Sequence, residues 1–425
     1  MQKRILLPLV VTLVAAVSCT PGLFDPVVTA TLPASETPTP VPPEDPLEIA
    51  YINTDGKVWL FQEGIGPRPI MFDQQNALGV QISDDGEIVA YINALGELLA
   101  IDLTDGTPIQ RTLIDSSYLS SLSGDSQPKA YIQDFKFIPN KPELILTIHL
   151  YDGVGGSDNF WVDAGHLHPV PSRLFAPGQG GTVTYSPDGN WFVISRPDEL
   201  ILSPESVVQA RRIFDEYPPY VGLGSRNGPS VVWTEDASGF YTAAPIYNNN
   251  GELLGKSGIW WVPMPGDDQQ LVFDYFAQLY HQAYISPLGQ QVIFLTEYDN
   301  LVDLSIARRG FQQVFITYPK AAIGFVGWAP APENGEEDSH CFVYWQDQPD
   351  QPTLVCDGIS MSDLASRPVY DLRSIRWIDD DQFLYLSPLN GQYDLVLEQI
   401  NQPGNTVAQV QVNARYPCYD YSKGK

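Results

Sequence analysis

Two segments near the start of the folded part almost repeat one another, and this self-match constrains the fold more than any other feature. One reads Ile49-Ala50-Tyr51-Ile52-Asn53-Thr54-Asp55-Gly56-Lys57-Val58-Trp59-Leu60, and the other Val89-Ala90-Tyr91-Ile92-Asn93-Ala94-Leu95-Gly96-Glu97-Leu98-Leu99-Ala100. Each is an apolar strand, a turn closed by glycine and a second strand, the chemistry of a β-hairpin. A wider repeat follows from it: an apolar or aromatic residue, a turn rich in Ser, Pro, Asp and Gly, then a hydrophobic strand. Its copies begin at Ile82, Phe137, Tyr185, Trp233, Ile285, Trp328 and Trp377, at intervals of 43 to 55 residues. The clearest copy is Tyr185-Ser186-Pro187-Asp188-Gly189, running into Trp191-Phe192-Val193-Ile194.

Each anchor is followed by two or three further strand-like runs, such as Phe383–Leu386, Tyr393–Leu397 and Val407–Val412 after Trp377. Four short strands per period near fifty residues is the composition of a β-propeller blade. A single blade cannot bury both of its faces, whereas ringed neighbours bury them mutually, so strands can be apolar without clean alternation. Seven anchors and the unanchored unit at 48–72 predict an all-β closed ring of eight four-stranded antiparallel blades over 47–421. Seven blades remain if the first unit is a flanking hairpin. The first unit lacks an inner strand, and Arg415–Tyr421 is a candidate to supply it. The Tyr185–Gly189 copy resembles the repeat of TolB-type propellers, a motif shared with the propeller half of prolyl oligopeptidases. In it, Ser186, Pro187, Asp188 and Gly189 form a turn that identifies a fold and carries no chemistry.

The first residues have a different character. Lys3 and Arg4 precede an apolar run from Ile5 to Val17, too short for a comfortable membrane span and suited to an export signal. It ends in Ala16-Val17-Ser18-Cys19, which resembles a bacterial lipobox with Ala16 where Leu is usual. That resemblance implies removal of 1–18 and lipidation of Cys19, with anchoring at the outer face of the cytoplasmic membrane, or at the cell surface or in the periplasm. An ordinary secretory signal and an uncleaved anchor are the alternatives. Residues 20–46 are rich in Pro and Thr, so many backbone donors are missing that an extended, solvated tether is expected over 19–46. The net charge of −28 argues against nucleic acid and against direct adhesion to anionic lipid.

Few motifs carry chemistry. Pairing Trp345 with Pro352 sets Cys341 opposite Cys356 across a hairpin, and an oxidising compartment favours a disulfide there, worth roughly 3 kcal/mol. Cys418 is then left over. His166 and His168 are read as a loop pair and Asp152–Asn159 as an inter-strand loop, neither having the spacing of a metal site. Trp260, Trp261 and Tyr247 are read as blade packing. Gly358-Ile359-Ser360-Met361-Ser362 fails as a nucleophile elbow. No catalytic residue, metal or cofactor is expected. The leading functional expectation is a monomeric binding or scaffolding propeller whose partner is an envelope protein or a glycan. The alternative is a carbohydrate-active hydrolase or lyase using carboxylates near the channel.

Overall fold

The computed structural model describes residues 46–71, 74–123, 130–150, 156–196, 198–205, 210–214, 229–248, 250, 252–266, 268–278, 282–308, 311–319, 323–332, 338–339, 341–346, 352–356, 359–361, 367–370, 374–400 and 402–423. Cys19, the leader and the tether lie outside them. Eight four-stranded antiparallel sheets make up the ring. The inner strands of blades 2 to 8 are Ala77–Ile82, Tyr131–Phe137, Thr182–Tyr185, Val231–Trp233, Gln282–Ile285, Ile323–Trp328 and Arg376–Trp377. Every one of the seven sequence anchors is the last residue of an inner strand. The anchor lies there because the next residues must reverse the chain, and Ser, Pro, Asp and Gly do so.

The turn has a repeated internal geometry. In blade 4, Ser186 Oγ donates to Asp188 Oδ1 at 2.5 Å and accepts from the Trp191 amide at 3.0 Å. Gly189 follows at φ 67°, a left-handed conformation that costs glycine least. Blade 2 repeats this with Ser83, Asp85 and the Ile88 amide, at 2.5 and 3.0 Å. Blade 6 has Leu288 where blades 2 and 4 have Asp85 and Asp188. The missing carboxylate arrives from blade 7, from the segment between its inner strand and its second strand: buried Asp338 accepts from Ser286 Oγ, from the Leu288 amide at 2.9 Å and from the Gln290 amide at 3.1 Å.

Blade 1 is completed from the far end of the sequence. Tyr419–Ser422 pairs antiparallel with Glu48–Ile52 as the inner strand, followed outward by Val58–Gln62 and Gly66–Pro69. The tail candidate thus closes the ring, and the seven-blade alternative falls. Alternate side chains of a strand point to opposite faces, and this strand uses both. Tyr419 Oη donates to the Leu384 carbonyl of blade 8 at 3.2 Å, and Tyr421 Oη donates to the Trp377 carbonyl. On the other face Asp420 Oδ2 accepts from the Ile82 amide of blade 2 at 3.1 Å, and Ser422 Oγ donates to the Asp84 carbonyl. Just before it, Tyr416 packs against Gly79 and donates to the Ile132 carbonyl of blade 3 at 2.6 Å.

The apolar clusters lie between blades. One joins Ile52 and Leu60 of blade 1 to Val80 of blade 2 and Leu386 of blade 8, and another joins Ile92 of blade 2 to Leu146 of blade 3. Fully buried Phe383 and Tyr385 sit in a cluster shared with Val343 of blade 7. Each such side chain contributes roughly 1.5 to 3 kcal/mol by burial, and only while its neighbour blade is in place.

Candidate functional site at the channel mouth

Because the inner strands of blades 2 to 8 each end in a chain reversal after the anchor residue, these turns gather at one end of the ring. They surround a cavity of about 850 Å³. Its wall includes Asp84 of blade 2, Lys136 of blade 3, Pro187 of blade 4, Glu235 of blade 5, Pro330 of blade 7, Asp379 and Asp380 of blade 8, and Asp420 and Lys423 of the closing segment. Five carboxylates therefore face two lysines, and Lys136 Nζ is 3.7 Å from Asp134. The imbalance makes a funnel of negative potential in low-dielectric walls, which raises the local concentration of cations.

The carboxylates are held by backbone groups of their own and adjacent turns. Asp84 Oδ2 accepts from the Asn140 amide of blade 3 at 2.8 Å. Asp379 Oδ1 accepts from the amides of Asp381 and Gln382 at 3.1 and 2.6 Å, and Asp381 Oδ2 from Gln399 Nε2 at 2.7 Å. Carboxylate oxygens of Asp379, Asp380 and Asp381 lie within 4.8 Å of one another. Burial lifts the Asp379 carboxyl above its ordinary range. The amides of Asp381 and Gln382 pull it down, and the Asp381 carboxylate pushes it up again. Asp420 is raised to about 6, chiefly by burial, against the Ile82 amide and the Arg376 guanidinium.

The residues singled out from sequence fall in different places. Of the turn motif, Pro187 reaches the mouth, and its carbonyl accepts from Asn140 Nδ2 at 2.6 Å. Burial alone would raise Asp188, but hydrogen bonds from Ser186 and Asn190 hold it below the usual carboxylate range. Cys341 and Cys356 are register partners, Cα–Cα 4.1 Å, with their sulfurs in disulfide contact. Cys418 is buried in the apolar cluster shared by blades 1, 2 and 8, its thiol pushed up to about 12 chiefly by desolvation. His166 and His168 share an exposed bend, where the His168 amide donates to His166 Nδ1 at 3.1 Å. Of the Asp152–Asn159 segment, Ser157 onward is strand, not loop. Asp158 and Asn159 are buried and accept from the amides of Gly178 and Gly181 at 2.8 and 2.9 Å. Residues 151–155 lie outside the described residues. Trp260 and Trp261 pack on Phe214 and Tyr241, with ring centroids 5.5 and 4.9 Å apart.

Sequence reasoning did not single out Asp84, Glu235, Asp379, Asp380 or Asp420 as a group. Four of the five occur inside or beside the anchor turns, and the turns of a closed ring must meet at its axis. That was the available signal.

No family model and no curated protein matches the sequence. Solved structures match in shape. A structure of a eukaryotic initiation factor is similar with a TM-score of 0.50 at 12% identity, over 86% of this chain and 85% of that one. The putative TolB from Agrobacterium tumefaciens gives 0.30 at 15% identity, over 64% and 89%. TolB from Acinetobacter baumannii gives 0.30 at 13%, over 62% and 61%. At such identities the likeness concerns the fold alone, and TolB-type propellers are among the folds matched.

Proposed function

We propose that this chain is a non-enzymatic binding propeller of the cell envelope, tethered outside the cytoplasm by a lipid on Cys19. Its channel mouth receives a basic segment of an envelope protein. The observation that carries this reading is the convergence of Asp84, Glu235, Asp379, Asp380 and Asp420 on one cavity. Electrostatic complementarity of this kind sets partner choice and association rate. In the double variant Asp84→Asn, Asp380→Asn the amide oxygens can still accept hydrogen bonds while two charges are removed. Wild-type protein on a support should capture a partner from detergent-solubilised envelopes, with a yield that falls as salt rises, and the double variant should lose it. Equal capture by the two proteins sinks the assignment to the mouth. Cys19→Ala should release the protein from membranes or leave an uncleaved precursor, and unchanged partitioning would overturn the anchor.

A second reading has one observation in its favour. A carboxyl raised by burial beside other carboxylates, as Asp379 is, is the arrangement of a general acid in glycan cleavage. Release of reducing ends from acidic or neutral glycans, abolished by Asp379→Asn, would support it. Absence of any cleavage across a glycan panel would remove it.

A further inference from the structure

The wall of the mouth on the side of blades 5 to 7 has a different chemistry from the acidic turns across the ring. Trp233, Tyr284, Phe325 and Trp328 surround a cavity of about 350 Å³, and Glu235 stands at its edge. All four rings keep part of their surface accessible. Tyr284 and Phe325 lie 4.3 Å apart by centroid and tilted by 36°, and Phe325 and Trp328 lie 6.1 Å apart. The indole edges are already committed: Trp233 Nε1 donates to the Thr184 carbonyl at 3.2 Å, and Trp328 Nε1 to the Tyr284 carbonyl at 3.1 Å. With those edges fixed by the preceding blades, and with Val232, Ile285, Pro287 and Leu288 completing the lining, the recess offers a guest apolar and aromatic surface and one carboxylate.

Those two features favour the same kind of guest. Ring faces are the negative pole of the aromatic quadrupole, and a cation over them is attracted on top of any gain from apolar burial. A neutral apolar group would gain burial only, with no attraction to the exposed Glu235 carboxylate. Glu235 also lines the acidic mouth, so the two cavities share a wall and a charge. We infer that this aromatic recess is the pocket for one lysine side chain of the basic segment, its stem against the rings and its ammonium near Glu235. The inference rests on the reading of the mouth as a site for a basic partner and adds the anchor residue.

The test separates the two ideas. The probes are tetralysine, the peptide acetyl-Gly-Gly-Lys-Gly-Gly-amide, and the same peptide with norleucine for lysine, which keeps the stem and removes the charge. Binding is followed by calorimetry and by tryptophan fluorescence on the full chain. The lysine peptide should bind at least about fivefold more tightly than the norleucine peptide. Both Glu235→Gln and Phe325→Leu should erase most of that preference, and trimethylammonium-bearing lysine should compete. Phe325→Leu is judged only if its melting transition stays cooperative, with Glu235→Gln as the variant that leaves the rings intact. Equal binding of the lysine and norleucine peptides, or a lysine preference untouched by Glu235→Gln, overturns the recess. Tetralysine binding that is lost in Asp84→Asn, Asp380→Asn would then still leave the acidic mouth standing. Conversely, a lysine preference that survives while tetralysine ignores the double variant would refute the mouth and keep the recess.

Discussion

Replacing Asp420 by asparagine should make the protein more stable at neutral and alkaline pH. Asp420 belongs to the strand that closes the ring, where its Oδ2 accepts from the Ile82 amide at 3.1 Å. Burial lifts its carboxyl from 3.8 to about 6. The Ile82 amide, the Arg376 guanidinium and the Tyr421 amide oppose that rise, and Asp84 adds to it. Between the unfolded and folded values, the native state holds a proton that the unfolded chain has released. Stability from this group is therefore complete below about pH 4 and is lost as pH rises through about 6. Two pKa units correspond to about 3 kcal/mol, and partial access from the channel trims this to about 2 to 3 kcal/mol. In Asp420→Asn the side-chain amide keeps an oxygen for the Ile82 amide and carries no charge. Urea denaturation followed by both fluorescence and circular dichroism, from about pH 4 to about pH 8, gives the difference between the two proteins directly. The expected curve starts near zero at the acid end and reaches a gain of about 2 to 3 kcal/mol for Asp420→Asn above about pH 7. A variant less stable than wild type at about pH 8, or a difference that does not change with pH, would show that the carboxylate is stabilising there and the reasoning wrong.

Other positions give independent checks. Asp338→Ala strips Ser286 Oγ and the Leu288 and Gln290 amides of their acceptor, and should cost about 3 kcal/mol in denaturation; a loss below about 1 kcal/mol would mean water replaces it. Ending the chain before Tyr419 removes the inner strand of blade 1 and bares the seams to blades 8 and 2, so limited proteolysis should degrade the whole ring and not trim it. A resistant core spanning blades 2 to 7 would contradict the closed-ring account. Non-reducing peptide mapping should recover Cys341 and Cys356 in one linked species and Cys418 as a thiol, and alkylation of all three under denaturing conditions would exclude the bridge.

The ring was legible in the sequence because its turns are chemically repetitive. Ile82, Phe137, Tyr185, Trp233, Ile285, Trp328 and Trp377 end seven inner strands, since a chain that must reverse there spends Ser, Asp and Gly on the turn. The Cys341 register followed from hairpin geometry alone. The helix Ser116–Ser123 was not anticipated, although Asp115 accepts from the Tyr118 amide at 2.7 Å as a cap residue does. Asp338 was invisible for a different reason. Leu288 marked the absence of a carboxylate, but nothing local says that a residue fifty positions away replaces it. The mouth suffered the same difficulty, its carboxylates being scattered over turns that only ring closure brings together. Glu235 and the aromatic recess likewise combine three blades, and no window of sequence contains them.

The closing strand also dictates an order of events. The three strands of blade 1 are made first, yet their inner partner is made last, and the Asp420 contact with Ile82 spans 338 residues. Blades 2 to 8 are assembled from consecutive strands, whose connections are far shorter than the span between Glu48 and Ser422. Loop-closure entropy rises only with the logarithm of length, so sealing the seam costs about 4 kcal/mol more than closing a hairpin turn. Until that happens, the edge of Glu48–Ile52 stands open as a template for other strands. The vulnerable species in its biogenesis is thus a nearly finished ring with one seam unsealed, and any chaperone that serves it should recognise blade 1.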